Sequence, residues 1–433
     1  MAKTSLICKT CGYRALQWRG RCPDCGEWDS FSQAQAVSAT TPLVPLAEID
    51  PEASRRMPTG ISELDRVLGG GLVAGSVVLL AGEPGIGKST LALQVAAGLQ
   101  RERRRVAVVC GEESMSQVAA RARRISDSGG VSATEETDID LVGAHLGSVD
   151  VAIVDSIQTI RGGDAPGEPG SVSQVRHCAA TLGRAARSSN AAVILIGHVT
   201  KDGAVAGPKT LEHLVDVVLN FEGDRGQVLR TIRSAKNRFG PSPEVAVFEM
   251  RPEGLREIAD ASGLFINDRR PDSHGSALAC ILEGRRALAL EVQALVVKAQ
   301  TSVARRLGNG IDSTRISLAA AVLQKRARVS LGESDVYARI AGGFRTDDPG
   351  LDLPLALAMA SSRREKAIPH DLIAIGEVGL GGEVRGVSGV NIRLAEAARL
   401  GLRRALVPPG TEQIEGIAIQ AVEDIAVALN YLE

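Results

Sequence analysis

The chain has 433 residues, 44% of them hydrophobic, which is enough apolar material for two or three cored domains and excludes a disordered tail or a staple-dependent mini-protein. Its 50 Lys plus Arg against 51 Asp plus Glu give a formal charge of -1, so no global positive field draws in nucleic acid or anionic lipid, and any such contact must come from a local patch. The first residues carry no apolar signal core, and no run of about 20 uncharged apolar residues occurs, so a soluble, cytoplasmic protein with no membrane partner is expected.

Four of the seven cysteines open the chain as Cys8-x2-Cys11-x10-Cys22-x2-Cys25. Two chelating thiolate pairs suit Zn2+, which takes four sulfurs tetrahedrally and has no redox chemistry of its own. With every position filled by protein the metal has no place for water, so its expected work is to stabilise a module too small to fold by burial. Gly12 and Gly26 follow the second cysteine of each pair, where a tight turn aims backbone amides at sulfur. Arg14, Trp18, Arg19 and Arg21 lie between the pairs and suit docking on DNA or on a partner protein. Cys110, Cys178 and Cys280 sit among apolar neighbours and read as small buried side chains. This gives a four-cysteine zinc finger over residues 1–30 and an Ala-, Ser- and Pro-rich linker over 31–57.

Residues 58–265 read as an α/β nucleotide-binding domain. Apolar runs at 76–81, 106–110, 149–154 and 191–196 are separated by helix-length segments, as parallel strands covered on both faces require, and 215–221 and 228–233 extend the sheet. Between the first run and an amphipathic segment lie Gly82, Glu83, Pro84, Gly85, Ile86, Gly87, Lys88 and Ser89, followed by Thr90. That is the G-x4-GK[ST] phosphate loop in its required strand–loop–helix context. Its glycines let amides face phosphate oxygens, the helix start adds its dipole, Lys88 neutralises the β and γ groups of ATP, and Ser89 holds Mg2+. Asp155 ends an apolar strand and is expected to hold the magnesium shell. Glu112 and Glu113 follow another strand; either can orient the attacking water, with Glu113 slightly preferred, or cap the next helix. His198 ends the 191–196 run and either senses the γ-phosphate or is a plain strand-end residue. The Gly- and Pro-rich segment 161–171 reads as a mobile loop, a lid or partner-binding candidate.

A phosphate loop alone does not say what hydrolysis drives. The four-cysteine finger, the run TGISELDRVLGGGLVAGSVVLLAGEPGIGKST over 59–90, GHVTKDG over 197–203, and Lys236-Asn237-Arg238-Phe239-Gly240 together resemble the bacterial RadA (Sms) family of DNA repair proteins along essentially the whole chain. The resemblance implies a RecA-like P-loop ATPase core that uses ATP and Mg2+ and assembles as a homo-oligomer, a hexameric ring. It also implies binding of single-stranded and branched DNA, and branch migration in homologous recombination beside a strand-exchange recombinase. The alternative is a RecA-like regulatory switch acting mainly through protein partners. Lys236 and Arg238 are cations two residues apart on one element; in a ring they would reach a neighbour's nucleotide or the DNA, making hydrolysis depend on assembly.

Residues 270–433 read as a mixed α/β domain, with a strand at 287–299 and helices at 313–328 and 353–364. The run 376–385, GEVGLGGEVR, resembles the peptidase domain of Lon proteases. A serine–lysine protease needs a hydroxyl beside an amine. Where the family has its serine this chain has Asp347-Asp348-Pro349-Gly350-Leu351-Asp352-Leu353, and Asn391 stands where the lysine belongs. Ser361, Ser362 and Ser388 match no nucleophile position, so the domain reads as an inactive Lon-protease-like scaffold for oligomerisation and DNA contact. Arg285-Arg286, Arg305-Arg306 and Lys325-Arg326-Ala327-Arg328 are local basic clusters that offer phosphate contacts.

Overall fold

The computed structural model describes residues 6–8, 14–15, 18, 20–23, 27–28, 30–33, 44–48, 56–125, 130–163, 165–198, 208–223, 229–242, 244–267, 269–270, 272–301 and 303–433. They form two compact units, 1–54 and 55–433. No helix among the described residues is long and apolar enough to cross a membrane.

In the first unit, Leu6–Cys8 pairs antiparallel with Arg14–Ala15 and with Phe31–Gln33. Cys8, Ala15, Cys22 and Phe31 make its small core. The finger therefore does not stop at residue 30: Phe31, 4% exposed, is one of the few apolar side chains available to close so small a core. The linker expected over 31–57 is shortened from the other end as well. Arg56–Met57 pairs with Leu72–Val73, and Met57 is buried in the core of the phosphate-loop sheet.

The second unit holds two large sheets. The first is nine-stranded, and its parallel part runs Ser132–Thr134, Val106–Cys110, Val151–Asp155, Ala192–His198, Val77–Gly82, Val217–Glu222. Val77, Leu79 and Ala81 face one apolar layer, Val78 and Leu80 the other, which is why the strand is apolar without alternation. Beyond Val217–Glu222 the sheet continues as an antiparallel meander, Leu229–Asn237, Val245–Arg251 and Gly254–Glu257. The last two strands were not expected from the sequence.

The second sheet has seven strands, from the edge strand Arg306–Asn309 through Ser334–Ile340, Arg286–Lys298 and Ser276–Glu283 to Leu372–Ala374, Arg404–Val407 and Ala418–Ala421. Ala277, Ala279 and Ile281 face the helices Ser313–Arg326 and Asp352–Arg364, while Leu278 and Cys280 face Val390–Arg399, the period-two division of a sheet covered on both sides.

The boundary expected between 265 and 270 also moves. Helix Ala261–Ile266 packs on strand Arg286–Lys298, and its Ala261 and Phe265 join the C-terminal core. The two lobes share strand Val245–Arg251, whose Val245 and Val247 face the C-terminal core while Ala246 and Phe248 face the core of the phosphate-loop sheet. Ion pairs cross the joint: Glu63 with Arg286, and Glu283 with Arg233. Arg286 is thus engaged within the fold, and Arg306 donates to the Ser334 and Leu331 carbonyls, so neither is available for phosphate as the basic clusters suggested.

Candidate nucleotide site

Strand Val77–Gly82 ends in the phosphate loop, and helix Lys88–Arg101 begins at the loop's lysine. Gly87 has φ +117°, a backbone conformation that favours glycine, and it lies beside the Met250 side chain of the meander. Lys88 is 4% exposed. Its Nζ donates to the Gly82 carbonyl at 2.9 Å and the Glu83 carbonyl at 3.0 Å, and lies 3.1 Å from His198 Nδ1. Burial pulls the Lys88 ammonium down from its ordinary value, with the Asp155 and Glu112 carboxylates opposing.

His198 ends strand Ala192–His198, which lies between the phosphate-loop strand and Val151–Asp155. Its Nε2 is 2.7 Å from Glu112 Oε1. Because an ammonium only donates, Nδ1 accepts from Lys88, and Nε2 carries the proton given to Glu112. Ser156 Oγ donates to the same carboxylate oxygen. These bonds, the one from His198 foremost, hold the Glu112 carboxyl at about 2 against the opposing effect of burial. Asp155 ends its strand beside them; burial pushes its carboxyl up, and a hydrogen bond from the Ser89 side chain works against that.

The strand ends therefore bring Lys88, Ser89, Glu112, Asp155, Ser156 and His198 together, at the carboxyl ends of parallel strands where α/β sheets bind ligands. Glu113 is partnered differently: its Oε1 accepts from Arg121 at 2.5 Å, in the cavity that Ser89, Glu112 and Asp155 also line. Glu112, not the slightly preferred Glu113, is the carboxylate bonded to His198 and Ser156. Ser156 as partner of Glu112, across 44 residues, was not anticipated, and its only sequence signal is its place directly after Asp155.

Lys236 and Arg238 are not brought to this chain's own phosphate loop. Asn237 pairs with Val217 and Val217 with Val78, near the start of the strand whose far end, Gly82, opens the loop. Four residues of strand, roughly 13 Å, separate the two. Lys236 Nζ donates to the carbonyls of Glu212 and Val215 at 2.6 and 2.8 Å, and Arg238 Nη1 lies 3.2 Å from Asp216 Oδ1. Asn237 Nδ2 donates to the Val67 carbonyl, and its Oδ1 accepts from the Phe239 amide, so the pentapeptide is a fixed corner.

The segment 161–171 is tied down more than a mobile loop would be. Gln174, 4% exposed, accepts from the Gly162 amide and donates to the carbonyls of Gly162 and Ala165. Of GHVTKDG, only Gly197 and His198 are among the described residues. In the C-terminal lobe, Asp348 is 2.8 Å from Arg393 Nη2 in an ion pair whose side chains are 5% and 1% exposed. Asp348 also accepts from the amides of Leu282 and Gly350, and Arg393 donates to the carbonyls of Cys280 and Ser388. The segment compared with a protease nucleophile is thus a saturated structural joint.

Of the expected zinc ligands, Cys8 and Cys22 are buried in one core, which fits a shared ion, and Cys8 Sγ donates to Ser30 Oγ at 3.2 Å. Cys11 and Cys25 lie outside the described residues, among which no group of three or more metal-binding side chains occurs. For magnesium, the Ser89 hydroxyl bonded to a buried Asp155 is a donor set of the right oxygen chemistry.

Comparison with known proteins places this architecture. Three chains named "DNA repair protein RadA" are similar along nearly their whole length: that of Mycolicibacterium smegmatis is 44% identical over 98% of this chain and 95% of its own, that of Bacillus subtilis 40% over 99% of each, and that of Synechocystis 39% over 97% and 92%. The chain belongs to the RadA family of DNA repair proteins. Within this RadA family chain, residues 45–204 match a family described as an AAA domain, and the phosphate loop lies inside that match; the chain is an ATPase. Residues 7–33 match a rubredoxin metal binding domain, whose end coincides with strand Phe31–Gln33. Residues 319–411 match the family of subunit ChlI of Mg-chelatase, a different description from the Lon resemblance drawn from the sequence.

Proposed function

We propose that the chain is a DNA-dependent ATPase of homologous recombination and DNA repair, a ring-forming RecA-like motor that promotes branch migration and the processing of recombination intermediates. The observation that carries this reading is the chain of contacts Lys88–His198–Glu112–Ser156 beside the Ser89–Asp155 pair. It supports the reading of a phosphate-neutralising cation, a carboxylate for water and a magnesium donor set at one crevice.

In this reading Gly82 to Thr90 bind the triphosphate, Lys88 leaves the loop carbonyls for the β and γ groups, and His198 loses its Lys88 contact at the same moment. Glu112 is then no longer held by a lysine-anchored imidazole and orients the attacking water. Magnesium, when bound, spreads the charge of the phosphates, and Ser89 and Asp155 would hold it. Lys236 and Arg238, far from their own loop, suit service to a neighbouring subunit's nucleotide or to the DNA strand in the channel. A Zn2+ held by Cys8, Cys11, Cys22 and Cys25 stabilises the finger, with exposed Trp18 and Trp28 as its contact surface for DNA or the recombinase. The C-terminal lobe, Lon-protease-like in its sequence pattern, is the scaffold of the ring.

The test is ATP turnover by the full chain with and without single-stranded DNA, with oligomeric mass followed in parallel. Stimulation by DNA in a multi-subunit assembly, abolished by Lys88→Ala, is expected. Turnover indifferent to every DNA structure overturns the DNA-coupled reading.

A further inference from the structure

A phosphate loop turns amide N–H groups inward to its anion, and each of its carbonyls still needs a donor. Arg230 is such a donor. In strand Leu229–Asn237 alternate side chains, Arg230, Ile232 and Ser234, are buried, and Arg230 is only 5% exposed. Its Nε donates to the Ile86 carbonyl at 3.2 Å, and its Nη1 donates to the Leu229 carbonyl at 2.8 Å. Gly223, at φ +151°, makes room for it: a Cβ at Gly223 would lie 2.7 Å from Arg230 Cδ. The Ile86 side chain, 2% exposed, is anchored in the ATPase core with Phe221. The peptide joining Ile86 to Gly87 is thus held through both its side chain and its carbonyl.

In a trans peptide the next N–H points opposite to the carbonyl. Fixing the Ile86 carbonyl outward aims the Gly87 N–H the other way, to the concave side of the loop. We propose that Arg230 is a positioning residue for nucleotide phosphate, clamping the Ile86 carbonyl so that the Gly87 amide is presented to the β-phosphate before ATP or ADP arrives. Gly87 is where a clamp has most to do, since a glycine peptide rotates more freely than any other. The strand is braced from its other side, where Arg233 pairs with Glu283 of the C-terminal lobe. This inference rests on the ATPase reading and refines it.

The test uses Arg230→Met, which keeps the stem but removes the donor, and Arg230→Lys, which keeps charge but replaces the two-pronged fork by a single ammonium. Affinity for Mg-ADP by fluorescent-nucleotide titration, KM and kcat for ATP, and thermal unfolding with and without Mg-ADP are measured on the full chain. Loss of one preset phosphate contact predicts about a tenfold rise in ADP Kd and ATP KM for Arg230→Met, with kcat changed less than about threefold, and a smaller loss of about threefold for Arg230→Lys. Folded Arg230→Met that binds Mg-ADP like the wild type overturns the proposal. Should Arg230→Met fail to fold, Arg230→Lys with wild-type Kd and KM overturns it equally. A wild-type chain that binds no Mg-nucleotide sinks the ATPase reading instead, which keeps the two failures distinct.

Discussion

Replacing Glu112 by Gln keeps the shape of the side chain and an oxygen to accept the Ser156 hydroxyl, but removes the charge beside Lys88 and His198. Nucleotide binding is expected to survive, because Lys88 loses an anionic competitor and the triphosphate loses a repelling neighbour. Hydrolysis is expected to fall by about 10² to 10⁴, the usual contribution of a positioned general base. Glu113→Gln is the matched control. It removes an ion pair to Arg121 whose partners are 38% and 26% exposed, worth about 0 to 1 kcal/mol, and leaves the His198 and Ser156 bonds of Glu112 in place. Stability should shift by less than about 1 kcal/mol and turnover by less than about threefold. Phosphate release under saturating Mg-ATP and single-stranded DNA, alongside a nucleotide titration, reads both variants. Glu112→Gln retaining more than about a tenth of turnover, with Glu113→Gln losing a hundredfold, would refute the assignment and restore Glu113 as the water-orienting carboxylate.

Two further outcomes are expected. Lys236→Ala and Arg238→Ala should leave Mg-ADP affinity within about twofold of the wild type while DNA-stimulated turnover falls at least tenfold, since neither side chain reaches its own phosphate loop; equal loss of ADP affinity would place them at the chain's own site. Arg393→Met strands Asp348 as a buried charge and should cost about 3 to 5 kcal/mol in a denaturant melt, with Asp348→Asn in the same chain recovering part of it; a loss below about 1 kcal/mol would show that the pair is not a structural joint.

The site was legible in the sequence where chemistry is local. Residues 82–90 announce a phosphate loop by spacing alone, and Asp155 follows from an apolar run ending in a carboxylate. What stayed hidden joins positions far apart in the chain. His198 stands 86 residues from Glu112 and 110 from Lys88, and Arg230 is 144 from Ile86; none of these distances leaves a mark in spacing or periodicity. Arg230 reads as one more cation in an apolar strand. The different partners of Glu112 and Glu113, Ser156 and Arg121, come from the packed strand ends and leave no trace in the sequence. Strand Val245–Arg251 was missed because it faces two cores: its continuous apolar run lacks the alternation of a half-exposed strand and is too short to distinguish by period from a buried helix segment.

That strand also bears on how the protein can be taken apart. Cutting the chain near residue 270 to obtain a separate ATPase fragment would strand Val245, Val247, Ala261 and Phe265 in water and remove Arg286 from Glu63, while the remaining piece would lose the wall on which Leu288 and Leu290 rest. Heat or denaturant should accordingly dismantle both lobes in one cooperative event, and a damaging substitution in the C-terminal lobe would silence the ATPase without touching a single nucleotide contact.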